Sequence, residues 1–154
     1  MRLYGAKLGI GYENRLVLQD FDISVQKGEI TTLIGPNGSG KSTVLKTLTR
    51  LLACRSGTVF CNGVDLRRIP SKEFARQVGV LPQQHLVPPG FKVKDLVSYG
   101  RVPYQNWHQG NSPEDEAAVE RAMQATGVWG LRDKTVYACS GGEAQRVWIA
   151  TVLA

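Results

Sequence analysis

Gly35-Pro36-Asn37-Gly38-Ser39-Gly40-Lys41-Ser42 decides how the rest of this chain is read. The stretch fits G-x-x-x-x-G-K-[ST] at every fixed position, the pattern of a loop that wraps phosphate. Backbone N–H groups must close around phosphate oxygens there, and side chains at Gly35, Gly38 and Gly40 would obstruct them. Lys41 reaches the β- and γ-phosphates of a nucleotide as a point charge, and Ser42 offers a hydroxyl to Mg²⁺. The helix that follows turns its positive end to the anion. Four fixed positions recur by chance in about one unrelated chain of this length in two hundred. Context lowers those odds. Upstream, Ile30-Thr31-Thr32-Leu33-Ile34 has the composition of a buried strand. Downstream, Leu45, Leu48, Leu51 and Leu52 recur at helical spacing, which predicts a helix from Lys41 to about Ala53.

Outward from the loop, the first 25 residues read as strands, with Phe21, Ile23 and Val25 alternating with Asp22, Ser24 and Gln26. A strand over residues 57–61 runs into Asn62-Gly63, a strong hairpin signal. A short helix is expected over residues 71–77, then an apolar strand from Val78 to Leu81. After Gln83 the character changes. Pro88, Pro89 and Gly90 break regular structure, and helical patterns follow over residues 93–100 and from Ser112 to near Gly127. Ser112 suits the N-cap, Pro113 the first helical position, and Glu114 and Asp115 the positive helix end. Two subdomains are expected: residues 1–84, carrying a β subdomain and the phosphate-loop core, and residues 85–154, mainly helical.

Bulk properties exclude several classes. The 154 residues are 42% hydrophobic and 21% charged, as in a globular domain with a real core. No apolar run approaches the ~20 residues needed to cross a bilayer. The N-terminus has no long apolar stretch of the secretory kind, so a cytoplasmic location is expected. Net charge is +6, yet the positive residues are scattered, with no run longer than Arg67-Arg68. That is a solvated surface and not a nucleic-acid stripe. Cys54, Cys61 and Cys139 fall at no metal-ligand spacing, and three is an odd number for a disulfide framework. His85 and His108 read as loop residues.

A second Gly-containing turn, Ser140-Gly141-Gly142-Glu143, opens a helix in which Val147, Ala150, Thr151 and Ala154 form one small-to-apolar face. A serine hydroxyl and two glycine amides at a helix start make a second anion site, although Ser-Gly-Gly-Glu would cap a helix in any case. With the phosphate loop about 100 residues upstream, this turn resembles the Leu-Ser-Gly-Gly-Gln signature of ABC ATPases. Cys139 stands for the usual Leu, and Glu143 for Gln. Gln83, at the end of an apolar strand, matches the family's Q-loop glutamine, a hard oxygen ligand for Mg²⁺. Gln84 is chemically equivalent. Tyr12, in Gly11-Tyr12-Glu13, resembles the aromatic on which the family stacks adenine; a strand-end core tyrosine is the plainer alternative. Residues 93–104, with Gly100-Arg101 and Pro103-Tyr104, look like the ATPases of iron-siderophore, haem and cobalamin importers.

The resemblance implies an α/β P-loop NTPase fold: an N-terminal antiparallel β subdomain, part of a RecA-like parallel-sheet core, and a helical subdomain. It implies ATP and Mg²⁺ as ligands. Gly35, Pro36, Asn37, Gly38, Ser39, Gly40, Lys41, Ser42 and Thr43 would line the phosphates, with Tyr12 at adenine and Ser42 and Gln83 on the metal. Ser140, Gly141, Gly142 and Glu143 would face the nucleotide of a second ATP-binding subunit, head to tail. Transmembrane permease subunits on the inner face of the membrane would be driven, and through them a substrate-binding protein. The family's general base, the glutamate of an Asp-Glu pair closing an apolar strand after the signature helix, is expected beyond residue 154. The chain alone is therefore expected to be catalytically silent, with an unpaired sheet edge and exposed apolar faces. Other readings are a non-hydrolysing nucleotide-binding remnant or regulator, a small P-loop kinase, and a non-transport ABC ATPase of DNA repair or translation.

Overall fold

A computed structural model describes residues 2–12, 15–83, 87–105 and 111–154. Glu13, Gln84, His85 and His108 lie outside the described residues. The chain divides into two compact units, residues 1–77 and 78–154.

The first unit is built on a four-stranded antiparallel sheet in the order β2-β1-β3-β4. Strands β1 (Leu3–Tyr12) and β2 (Arg15–Val25) pair along their length, and β3 (Ser56–Cys61) lies on the other side of β1. Strand β4 (Val64–Asp65) returns from β3 through Asn62 and Gly63, both left-handed at φ 51° and 83°. Asn-Gly is the pair that such a two-residue turn selects, as the sequence led one to expect. Helix α1 (Lys41–Leu48) packs on β1, burying Thr43, Val44, Thr47 and Leu48. Leu8, Ile10, Val59, Leu66 and Phe74 of α2 (Ser71–Ala75) complete this core.

Three expected elements are corrected here. Helix α1 ends at Leu48 instead of near Ala53, because Arg50 turns left-handed at φ 64°. Its buried stripe is therefore set by Thr43, Val44, Thr47 and Leu48, while Leu45 and Leu51 are exposed. The segment 30–34 forms no strand, and Ile30 and Ile34 are 97% and 90% exposed. β-Branched composition favours extended backbone, but a strand needs a neighbour to bond, and no described residue supplies one. The antiparallel β subdomain and the α/β class thus stand, while the described residues contain no parallel pair. Residues 78–81 form no strand either. Gly79 packs against Val152, which places this segment with the second unit and the division upstream of residue 84.

The second unit packs α3 (Val93–Ser98), α4 (Pro113–Ala125) and α5 (Gly141–Leu153) around Val93, Leu96, Val97, Val119, Met123, Val128, Val147 and Ala150. Ser112 caps α4 through a reciprocal box with Asp115, and Pro113 occupies the first turn. Gly127, at φ 68°, ends it. Residues 132–136 run beside the start of α3 with three backbone rungs. Val93 N–H donates to Lys134 O (3.0 Å), Lys94 N–H to Arg132 O (3.0 Å) and Val136 N–H to Phe91 O (2.9 Å). Arg101, in the 3₁₀ turn Tyr99–Arg101 after α3, is nearly buried. It donates to Asp115 Oδ1 (2.8 Å) and to Ala154 O (2.6 Å), tying α3, α4 and α5 together. Beside it, a side chain at Gly100 would stand 2.1 Å from Thr151 O, so the backbones touch only because there is none. Among the described residues, no helix is long and apolar enough to cross a membrane.

Candidate functional site

The residues expected to bind nucleotide fall on both units. In the first, residues 35–40 lead into α1, and the loop's shape rests on glycine. Gly38 and Gly40 are left-handed, at φ 84° and 93°. A side chain at Gly40 would also press within 2.8 Å of Val17 on β2. Ser39 N–H turns back to Pro36 O at 3.3 Å. The first helical bond runs from Val44 N–H to Gly40 O, and Gly40 offers no side-chain cap. The N–H groups of Lys41, Ser42 and Thr43 precede that bond at the positive end of α1, with no acid in its first turn. An anion is what such a helix start accepts.

Lys41 folds back over the loop, its Nζ donating to Gly35 O (2.8 Å) and Pro36 O (2.7 Å). The ammonium is thereby held over the curl of the loop. Ser42 is exposed, whereas Thr43 is buried against the core, so Thr43 has its backbone N–H to offer and not its hydroxyl. Tyr12, at the end of β1, is 45% exposed, with Lys46 Nζ 5.8 Å from its ring centre. It is a surface aromatic and not a core residue.

In the second unit, Gln83 is exposed beyond residues 78–82. The turn at Ser140 is held by side chains. Ser140 Oγ accepts Glu143 N–H (3.3 Å), Glu143 Oε2 accepts Ser140 N–H (2.7 Å), and Lys134 Nζ donates to the same oxygen (3.2 Å). These bonds, the Ser140 N–H first and Lys134 second, hold the Glu143 carboxyl below its ordinary range. Gly141 and Gly142 are exposed on the first turn of α5. Burial pushes the neighbouring Cys139 thiol upward, so it remains a protonated packing group. The three cysteines are free, with Cys61 buried. Among the described residues, no group of three or more His, Cys, Asp or Glu side chains is placed to hold a metal.

Two residues of this geometry gave little sequence signal. Asp115 reads as a helix-start acid, but its partner Arg101 is 14 residues away across a loop. Lys134 is nine residues from Glu143, outside any helical spacing.

The sequence profile of the ABC transporter family matches residues 18–154. The chain belongs to this family. Among curated relatives of the same family, it is 44% identical over 148 residues to the iron(3+)-hydroxamate import ATP-binding protein FhuC of Bacillus subtilis, covering 96% of this chain and 55% of that protein. It is 47% identical over 148 residues to the achromobactin transport ATP-binding protein CbrD of Dickeya dadantii, again covering 96% and 55%. The ABC chain described here therefore spans about half the length of the curated relatives it matches. Among solved structures, cbiO1 from Clostridium perfringens, part of the ABC transporter complex cbiONQ, superposes with a TM-score of 0.80 at 26% identity, over 98% of this chain and 60% of that one. A nucleotide-free ATP-binding cassette from an ABC transporter gives a TM-score of 0.82 at 24% identity, over 99% and 65%, and shows the fold.

Proposed function

We propose that this chain is the ATP-binding part of an importer for iron-siderophore-type complexes. The observation that carries the ATP assignment is the loop of residues 35–42, with Lys41 Nζ bonded to Gly35 O and Pro36 O and left-handed Gly38 and Gly40 leading into the uncapped start of α1. The cargo class is supported by the printed names of relatives 44–47% identical over 96% of the chain. In this reading the N–H groups of Asn37, Gly38 and residues 40–43 and the Lys41 ammonium bind the phosphates, and Tyr12 stacks on adenine. Ser42 would hold Mg²⁺ through an exposed hydroxyl of the first unit, and Gln83 offers an exposed hard oxygen donor of its own on the second. They suit an ion that keeps several waters and takes phosphate oxygens. When bound, the ion offsets charge on the β- and γ-phosphates.

Ser140, Gly141, Gly142 and Glu143 serve the ATP of a second ATP-binding subunit arranged head to tail. ATP then closes the pair, and its hydrolysis releases it. The work is delivered to transmembrane permease subunits at the inner face of the membrane, and through them to a substrate-binding protein. Nucleic acid is not a partner in this reading, because the basic residues form no stripe.

The 154 residues by themselves are proposed to turn over ATP at or near background. Their adjacent Asp-Glu pair is Asp115-Glu116, and Asp115 is consumed by the Ser112 cap and Arg101.

The test is titration with a fluorescent ATP analogue in the presence of Mg²⁺. Wild type should saturate, and Lys41→Ala should bind about a hundredfold more weakly, a loss of about 2.7 kcal/mol. Equal binding by both proteins would remove the phosphate-loop assignment. Robust Mg²⁺-dependent turnover by the chain alone would remove the catalytic one.

A further inference from the structure

Glu143 brings a negative charge to the first turn of α5, beside the N–H groups that the reading above assigns to a nucleotide. A carboxylate there favours the helix. It also opposes a polyanion arriving at the same place. The structure contains a counterweight. Lys134 Nζ lies 3.2 Å from Glu143 Oε2, the oxygen that also accepts the Ser140 N–H. Both side chains are partly sheltered, at 37% and 25% exposure. Lys134 does not wander to this position, because its backbone is fixed on both sides. Its N–H donates to Leu131 O (2.9 Å), and its carbonyl accepts the Val93 N–H at the start of α3.

We propose that Lys134 is a positioning residue for the turn at Ser140, neutralising Glu143 so that the Gly141 and Gly142 N–H groups stay receptive to phosphate. Glu143 is then tolerated where the family signature usually has glutamine, because its charge is matched from nine residues upstream. The inference rests on the assignment of this turn to ATP. It adds a residue that acts on the nucleotide only through Glu143. A second cation, the Arg146 guanidinium, lies 3.8 Å from the point where a Gly142 side chain would begin, and it leaves the turn net positive once Glu143 is matched.

The test is a ¹⁵N amide titration of the full chain with MgATP, in wild type, K134M, K134R, E143Q and K134M/E143Q. The Gly141 and Gly142 amides report the turn, and the Gly38 and Gly40 amides report the phosphate loop. K134M should weaken the response at the turn about fivefold, the scale of one uncompensated, partly screened charge. K134R should stay within about twofold of wild type, K134M/E143Q should stay within about twofold of E143Q, and the phosphate-loop response should be the same in all five. Three results overturn the proposal: K134M behaves as wild type, the double variant stays as weak as K134M, or wild type shows no response at Gly141 and Gly142. The second of these would mean that Lys134 shapes the turn by packing and not by charge. Silence at Gly38 and Gly40 in wild type is a separate outcome. It removes the nucleotide assignment of the loop and leaves the turn to be judged by its own amides.

Discussion

The loop of residues 35–42 and the Ser140 turn both lead into the start of a helix, and they are built by opposite means. Residues 35–42 rely on backbone geometry, with left-handed Gly38 and Gly40, no side-chain cap, and a lysine bonded to carbonyls of its own loop. The Ser140 turn has ordinary backbone, with Ser140 extended at φ −64° and ψ 161°, and is held by a hydroxyl, a carboxylate and an ammonium. The difference teaches where each is vulnerable. The loop is sensitive to the addition of a single carbon, whereas the turn is sensitive to charge. The same contrast extends to the units that carry them, since the second unit is knotted by the buried Arg101–Asp115 pair.

The largest effect should come from cutting that knot. Arg101→Ala leaves the buried Asp115 carboxylate without its countercharge and the Ala154 carbonyl without its donor, and should cost the second unit about 3–5 kcal/mol. Amide exchange should then rise through α3, α4 and α5 while β1, β3 and α1 keep their protection. A matching loss in the first unit would break the distinction between the two.

A smaller effect compares two glycines. At Gly100 a methyl would meet Thr151 O, and Gly100→Ala should cost about 2 kcal/mol in urea unfolding. At Gly38 there is open space within 4 Å but φ is 84°, so Gly38→Ala should cost about 1 kcal/mol, from backbone strain alone. Equal costs would show that space and conformation are not separable here.

The smallest effect is with acid. The Asp115 carboxyl is held below its ordinary value of 3.8, chiefly by Arg101 and then by the Ser112 N–H, and Glu143 is held below 4.5. A lowered folded-state value means stability that is present above the ordinary range and lost as pH falls through the lowered one. The second unit should therefore weaken as pH drops below that range, and Asp115→Asn should flatten the profile. In the first unit, Arg67 holds Asp65 down to about 2, but the Arg67 side chain is 70% exposed and screened by solvent, so the pair should show little.

What could be read from the sequence was local. The phosphate loop, the Asn62-Gly63 turn and the caps at Ser112 and Ser140 each lie within a few residues, where residue type dictates conformation. Segments 30–34 and 78–81 carry strand composition but form no strand, since a ladder depends on a neighbour that composition cannot name. The stripe of α1 was misplaced because Arg50 stops the helix and Thr43 and Thr47, polar by type, are buried. The pairings of Arg101 with Asp115 and of Lys134 with Glu143 were not legible for a third reason. The partners lie 14 and 9 residues apart, at no spacing that a helix or strand would bring together.

The three backbone rungs between residues 91–94 and 132–136 have a bearing on timing. Bonded pairs of this kind do not reorganise on the nanosecond scale on which free loops fluctuate. Segment 132–136 therefore keeps its place beside the start of α3 while exposed side chains hop between rotamers, and Lys134 meets Glu143 from an anchored backbone.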